Sequence, residues 1–249
     1  MRLRSFFWLA ACLLLTSCAP RPEAEARTLT IAAAANLTDV LAEIGRAFRA
    51  KTGITVVYSF GATAQLAQQI ENGAPFDLFA SADTEHIDSL AAKQQLLAGS
   101  RAVYAIGQLA VWAPKGGIAS LQDLASEHVR YIGVAQPDLA PYGQASVEAL
   151  KASGLWEAVQ SKIVYANSIS QVKQLAASGN ADAAFTAYSL LLKDQGTVLK
   201  IDPSLHRPIE QALGIPSSTS RADDALRFRS FLLGPEGREI LARYGYLLP

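Results

Sequence analysis

Four short stretches of small, hydroxyl and amide residues could aim hydrogen-bond donors at one guest: Ala35-Asn36-Leu37-Thr38, Gly61-Ala62-Thr63-Ala64, Pro141-Tyr142-Gly143 and Asn167-Ser168-Ile169-Ser170. Each follows an apolar run and precedes a helical pattern. The chemistry on offer is recognition of an anion. A helix start leaves its first N–H groups without intrahelical acceptors, its dipole favours negative charge, and small residues let a guest approach the backbone. Singly, each turn has an ordinary structural account: Thr63 as an N-cap, Asn36 with Asp39 as a cap pair, Asn167 or Ser168 as an N-cap. Their recurrence favours a shared site, since ligands of open α/β sheets gather outside the strand C-termini.

Residues for covalent chemistry are not grouped. His86, His128 and His206 are scattered, with no histidine four residues from another, no cysteine pair and no acidic cluster at metal-ligand spacing. A free metal cation has no evident site, and no organic cofactor is implied. The G-x-S-x-G elbow, the G-x-G-x-x-G fingerprint after the first strand and the P-loop are all missing, so hydrolase, dinucleotide and nucleotide readings lose their motifs. Asp83 reads as a residue that fixes the loop after the third strand, because an unpaired carboxylate would repel a bound anion. Trp112 and Trp156 read as core.

The chain has 249 residues, of which 50% are hydrophobic, enough for one large core or two smaller ones. Lys+Arg and Asp+Glu both number 22, so there is no basic surplus to attract nucleic acid. The start, MRLRSFFWLAACLLLTSC, joins Arg2 and Arg4 to an apolar run from Phe6 to Leu15 that is too short to span a bilayer. Leu15-Thr16-Ser17-Cys18 resembles a lipobox, which makes residues 1–17 a lipoprotein signal and Cys18 the candidate lipidation site. Cleavage after Ala26 is the alternative. Residues 18–27 read as a polar tether. The only other cysteine, Cys12, lies inside the signal, so the mature chain is expected to form no disulfide.

Positioning the four turns requires alternating strands and helices. Leu29–Ala34, Ile54–Phe60 and Asp77–Ser81 read as strands, with helices over Leu37–Phe48, Ala64–Asn72 and Glu85–Lys93. Such a βαβαβα series calls for a mostly parallel sheet with helices on both faces. A β-rich run at Tyr104–Ala113 suits a crossing to a second unit. There Tyr131–Ala135, Ile163–Tyr165 and Ala181–Phe185 read as strands, and Gly143–Ser153, Ile169–Ser178 and Tyr188–Lys193 as helices. Arg207–Pro216 reads as the crossing back, and helices Ala222–Leu233 and Pro235–Tyr244 then cover the first unit. The expected division is residues 28–108 with 212–249 as lobe 1 and 109–211 as lobe 2.

IAAAANLTDVL, SFGATAQLAQQI, NGAPFDLFASAD, PDLAPYGQASVEAL and GPEGREILARYGY, in this order and spacing, resemble the molybdate-binding proteins of bacterial ABC transporters. The likeness covers nearly all of residues 29–246. It implies an α/β, two-lobed periplasmic binding protein-like fold of type II, with molybdate or tungstate held between the lobes by hydroxyl and N–H groups. Carried over position by position, the implied ligand set is Asn36, Thr63, the backbone N–H groups of Tyr142 and Ile169, and Thr186, with Tyr188 as an alternative at the last position. Family members often have Ser where Asn36 and Thr63 stand, and some have Tyr at the last position. The resemblance further implies a monomer that hands its anion to a permease, while the signal and lipobox imply export to the periplasm or cell surface, with the membrane touched only through a lipid at Cys18. Alternatives are a receptor for sulfate, phosphate or another oxyanion, an enzyme on a similar fold, and the effector domain of a transcription regulator. The absent nucleophile–base pair argues against an enzyme, and the export signal with no upstream helix-turn-helix argues against a regulator.

Overall fold

The structure, a computed structural model, describes residues 27–249. The signal, Cys18 and the tether up to Ala26 lie outside the described residues. β1 (Thr28–Ala34) passes through a 3-10 turn at Ala35–Leu37 into α1 (Thr38–Thr52). Helix α1 turns Val40, Leu41, Ile44 and Phe48 inward and stops where Gly53 takes a left-handed φ of 73°, a conformation glycine adopts without a Cβ clash. β2 (Thr55–Gly61), α2 (Thr63–Glu71), β3 (Leu78–Ala80) and α3 (Glu85–Ala92) continue the alternation. β4 (Ala102–Gly107) and β5 (Leu109–Ala113) follow. Next come β6 (Ile132–Ala135), α4 (Pro141–Ala152), α5 (Trp156–Val159), β7 (Ile163–Ala166), α6 (Ile169–Ala177) and β8 (Ala183–Ala187). β9 (Thr197–Lys200), β10 (Ile209–Gly214), α7 (Ala222–Leu233) and α8 (Pro235–Arg243) complete the chain.

The strands form two five-stranded sheets, ordered β2-β1-β3-β10-β4 and β7-β6-β8-β5-β9. β1 is parallel to β2 and β3, and β6 is parallel to β7 and β8. β10 is antiparallel to β3 and β4, and β5 to β8 and β9. Both sheets are therefore mixed. They are parallel where helices join successive strands and antiparallel where a strand enters from a crossing.

The run expected as one crossing, Tyr104–Ala113, is two strands in different sheets that part at Gln108, whose carbonyl accepts from the Tyr188 N–H at 2.9 Å. The expected return at Arg207–Pro216 is, from Ile209 onward, strand β10 of the first sheet. The chain has thus already crossed back before Ile209, and the junction drawn between residues 211 and 212 falls inside β10, at a shift in its register with β4. Tyr188–Lys193 forms only a 3-10 turn at Tyr188–Leu190, while α5 and β9 were not anticipated.

Helices α7 and α8 cover α1, as their apolar spacing requires. Phe48 meets Phe228 and Phe231 edge to face, with centroids 5.2 and 5.6 Å apart. Truncating a buried ring of this kind costs about 3–5 kcal/mol. Trp112 is buried and donates its indole N–H to the Gln195 carbonyl at 2.8 Å, so it serves the core as expected.

Candidate functional site

Residues from all four turns line a single cavity between the sheets. Asn36, Gly61, Thr63, Tyr142 and Ile169 contribute, with Ala82 and Pro141. Its free volume is about 10 Å³, roughly the space of one water. Among its lining residues only Tyr142 has an ionisable side chain, and burial pushes that phenol well above its ordinary value. The cavity is thus neutral near pH 7.

Each turn reaches the cavity for a local reason. α2 begins at Thr63 behind Ala62, which has no side chain to cap the helix, so its first N–H groups are left for other partners. The Ala64 N–H donates to the Leu139 carbonyl at 3.2 Å. Thr63 is buried, and its Oγ1 accepts from the Ala82 N–H at 3.3 Å, which leaves its own hydrogen to give. α4 starts behind Ala140 with Pro141 at its first position, again with no side-chain cap. Gly143 is required there because a Cβ would collide with the Ala135 carbonyl. At α6, Ser168 does cap the helix, accepting from the Gln171 N–H at 3.4 Å, and Ile169 follows as the first helical residue.

Asn36 is buried and makes no cap pair with Asp39. Its Nδ2 donates to Gln211 Oε1 and to Tyr246 Oη, both at 3.0 Å, while its Oδ1 has no partner. Gln211 Nε2 donates to Tyr142 Oη at 3.0 Å, and the Tyr104 hydroxyl lies 2.8 Å from the Ser81 carbonyl and 3.0 Å from Gln211 Oε1. Tyr246 Oη donates to the Asn36 carbonyl at 2.9 Å, and the Ser189 hydroxyl lies 3.2 Å from that carbonyl and 3.0 Å from Tyr246 Oη. Sequence reading missed Gln211, Tyr104, Tyr246 and Ser189. One signal was available: in Ile209-Glu210-Gln211 the alternation places Gln211 on the buried face, where a polar side chain calls for partners.

Thr186 does not line the cavity. It is buried in β8, and its hydroxyl has no partner. Tyr188 is also outside the lining, with the Lys200 ammonium 3.8 Å from its ring centroid. Asp83 does hold its loop, accepting from the Ser81 hydroxyl at 2.9 Å and the His86 N–H at 3.1 Å. The neighbouring cleft, lined by Asp83, Glu85, Glu148 and Glu210, is a poor place for an anion, and its Arg207 is bound to Glu148. Among the described residues no group of three or more His, Cys, Asp or Glu could hold a metal ion.

A small, uncharged cavity between two α/β lobes is the arrangement of a small-solute receptor. The chain belongs to the bacterial extracellular solute-binding protein family, whose model matches residues 29–247. Within that family it is 35% identical over 226 residues to the molybdate-binding protein ModA of Rhodobacter capsulatus, covering 90% of each chain. The solved periplasmic molybdate-binding protein of Azotobacter vinelandii matches with a TM-score of 0.86 at 35% identity, over 89% of this chain and 99% of that one. The sulfate-binding protein SubI from Mycobacterium tuberculosis, with a TM-score of 0.72 and 16% identity over 88% of this chain and 86% of that one, shares the fold. This is a family of solute receptors, not of enzymes.

Proposed function

We propose that this chain binds molybdate, and tungstate with it, in the cavity between its lobes and delivers the anion to the permease of an ABC transporter. The observation that carries the reading is a cavity bounded by three helix starts and a buried carboxamide, with no charged side chain, in a chain that resembles molybdate-binding proteins along most of its length. In this reading the Thr63 hydroxyl, the Asn36 amide and the backbone N–H groups of Thr63, Tyr142 and Ile169 hold the four oxygens. The cavity as it stands holds about one water, so the lobes part by rotation about the two crossings to admit the anion and then close on it, and the protein works outside the cytoplasmic membrane, held by a lipid on Cys18. Sulfate has shorter bonds to oxygen and would leave donors unpaired, at about 1–3 kcal/mol each. Phosphate carries a proton near neutral pH and would want a carboxylate acceptor, and none lines the cavity.

A thermal-shift series on the mature domain tests this with molybdate, tungstate, sulfate and phosphate, each at about 1 mM and equal ionic strength. With a Kd near 1 μM, molybdate stabilises the folded state by roughly 4 kcal/mol, a rise on the order of 8–16 °C for a body of this size. Tungstate should match it, and sulfate and phosphate should move the midpoint by no more than about two degrees. An equal response to sulfate would overturn the specificity, and no response to any of the four would overturn the oxyanion reading.

A further inference from the structure

We propose that Gln211 is the positioning residue of this site, and that the Asn36 and Gln211 carboxamides turn over together when an anion enters. The inference rests on the oxyanion reading above. As the structure stands, both hydrogens of Asn36 Nδ2 are spent on Gln211 and Tyr246, and the atom left without a partner is Oδ1, an acceptor on a residue that lines the cavity. An anion would meet a repulsive dipole there.

The hydrogens behind Asn36 are also poorly matched. The Tyr104 hydroxyl has one hydrogen but faces two acceptors, the Ser81 carbonyl at 2.8 Å and Gln211 Oε1 at 3.0 Å. Gln211 Nε2 has two hydrogens, and Tyr142 Oη at 3.0 Å is the only side-chain partner shown for them among the described residues. The oxygen and nitrogen ends of a carboxamide are nearly isosteric, so reversing both leaves every heavy atom close to its present place. Gln211 Nε2 then donates to Tyr104 Oη and to Asn36 Oδ1, and Tyr104 keeps its hydrogen for Ser81. Tyr142 donates its free hydrogen to Gln211 Oε1. Tyr246 donates to Asn36 Oδ1, and Ser189 alone holds the Asn36 carbonyl. Behind the cavity each hydrogen then has its own acceptor, while the two Asn36 Nδ2 hydrogens give up theirs and are left for the anion, which is why the reversal waits on its entry. Because the two amides share a hydrogen bond, neither can reverse alone without setting donor against donor or acceptor against acceptor.

The test uses the full mature protein, labelled with ¹⁵N, first without anion and then saturated with sodium molybdate. The nuclear Overhauser contacts of the Gln211 side-chain amide protons should move from the ring of Tyr142 to that of Tyr104, and the same contacts in both states would overturn the joint reversal. Gln211→Met should weaken molybdate about 10- to 100-fold in a calorimetric titration, the loss expected of one misdirected charge-assisted hydrogen bond. In Gln211→Glu, an ionised carboxylate fixes Asn36 with its acceptor outward while a protonated one restores the donor. Affinity should therefore fall with rising pH in this variant and stay level in the unaltered protein. Unchanged affinity in a folded Gln211→Met overturns the positioning role alone. Failure of the unaltered protein to bind molybdate overturns this inference together with the reading beneath it.

Discussion

The Tyr142 hydroxyl, at the start of α4 on the second sheet, accepts a hydrogen bond of 3.0 Å from Gln211 on β10 of the first. Both groups lie against Gly107, where an added Cβ would collide with Tyr142 Oη and stand 2.6 Å from Gln211 Nε2. Glycine is needed there to let the lobes meet. Gly107→Ala should cost about 1–3 kcal/mol of stability, the usual range for overpacking, and should weaken molybdate binding. Urea unfolding beside calorimetry checks both effects, and a variant unchanged in each would show that the lobes can meet without a glycine at 107.

Thr63→Ala removes a hydroxyl whose hydrogen is free to serve the anion. A hydrogen bond to a charged group is worth about 1.5–3 kcal/mol, so affinity should fall roughly 10- to 100-fold. Thr63→Ser keeps the hydroxyl and should stay close to the unaltered protein. Equal affinity in the alanine variant would remove Thr63 from the site.

Thr186→Val replaces a buried, unpartnered hydroxyl with a methyl of the same shape. Relieving an unsatisfied polar group should leave stability level or raise it by about 1 kcal/mol, with molybdate affinity unchanged. A tenfold loss of affinity in a stable variant would instead make Thr186 the fifth contact.

Alkaline pH should unfold the protein through Tyr104, Tyr142 and Tyr246. Burial first of all raises all three phenols above their ordinary value, and nearby tyrosines push Tyr104 and Tyr142 the same way. In the unfolded chain a tyrosine ionises near pH 10. Between that pH and the raised folded-state value the native form binds more protons, so stability falls as pH rises. The contribution is complete below about pH 10 and declines above it by up to about 1.4 kcal/mol per pH unit for each tyrosine. Urea midpoints at pH 9, 10 and 11 measure the slope, and a flat series would contradict it.

The sequence carried the alternation of strands and helices because the signals for it are local. Apolar spacing marks α1, and Gly53 marks its end. Ala62 and Pro141 stand at helix starts for the same local reasons. Sheet membership was less legible. No turn residue separates Gly107 from Leu109, so β4 and β5 read as one run although they join different sheets. The cavity's lining from Asn36, Thr63, Tyr142 and Ile169 could be anticipated from turn chemistry and resemblance. The network behind it could not, because Asn36 meets Gln211 across 175 residues and Tyr246 across 210, and no local pattern encodes such a meeting.

The neutral lining of the cavity has an electrical consequence. With no group in the lining that takes up a proton near pH 7, the proposed dianion adds its whole charge, and the chain from Cys18 onward, which has lost Arg2 and Arg4 and carries 20 Lys+Arg against 22 Asp+Glu, goes from a formal charge of −2 to about −4. Occupancy is thereby written into the migration of the whole molecule. The loaded form should focus at a lower pH than the empty one and move further toward the anode in a native gel, so that filling of the cavity can be read by mobility alone.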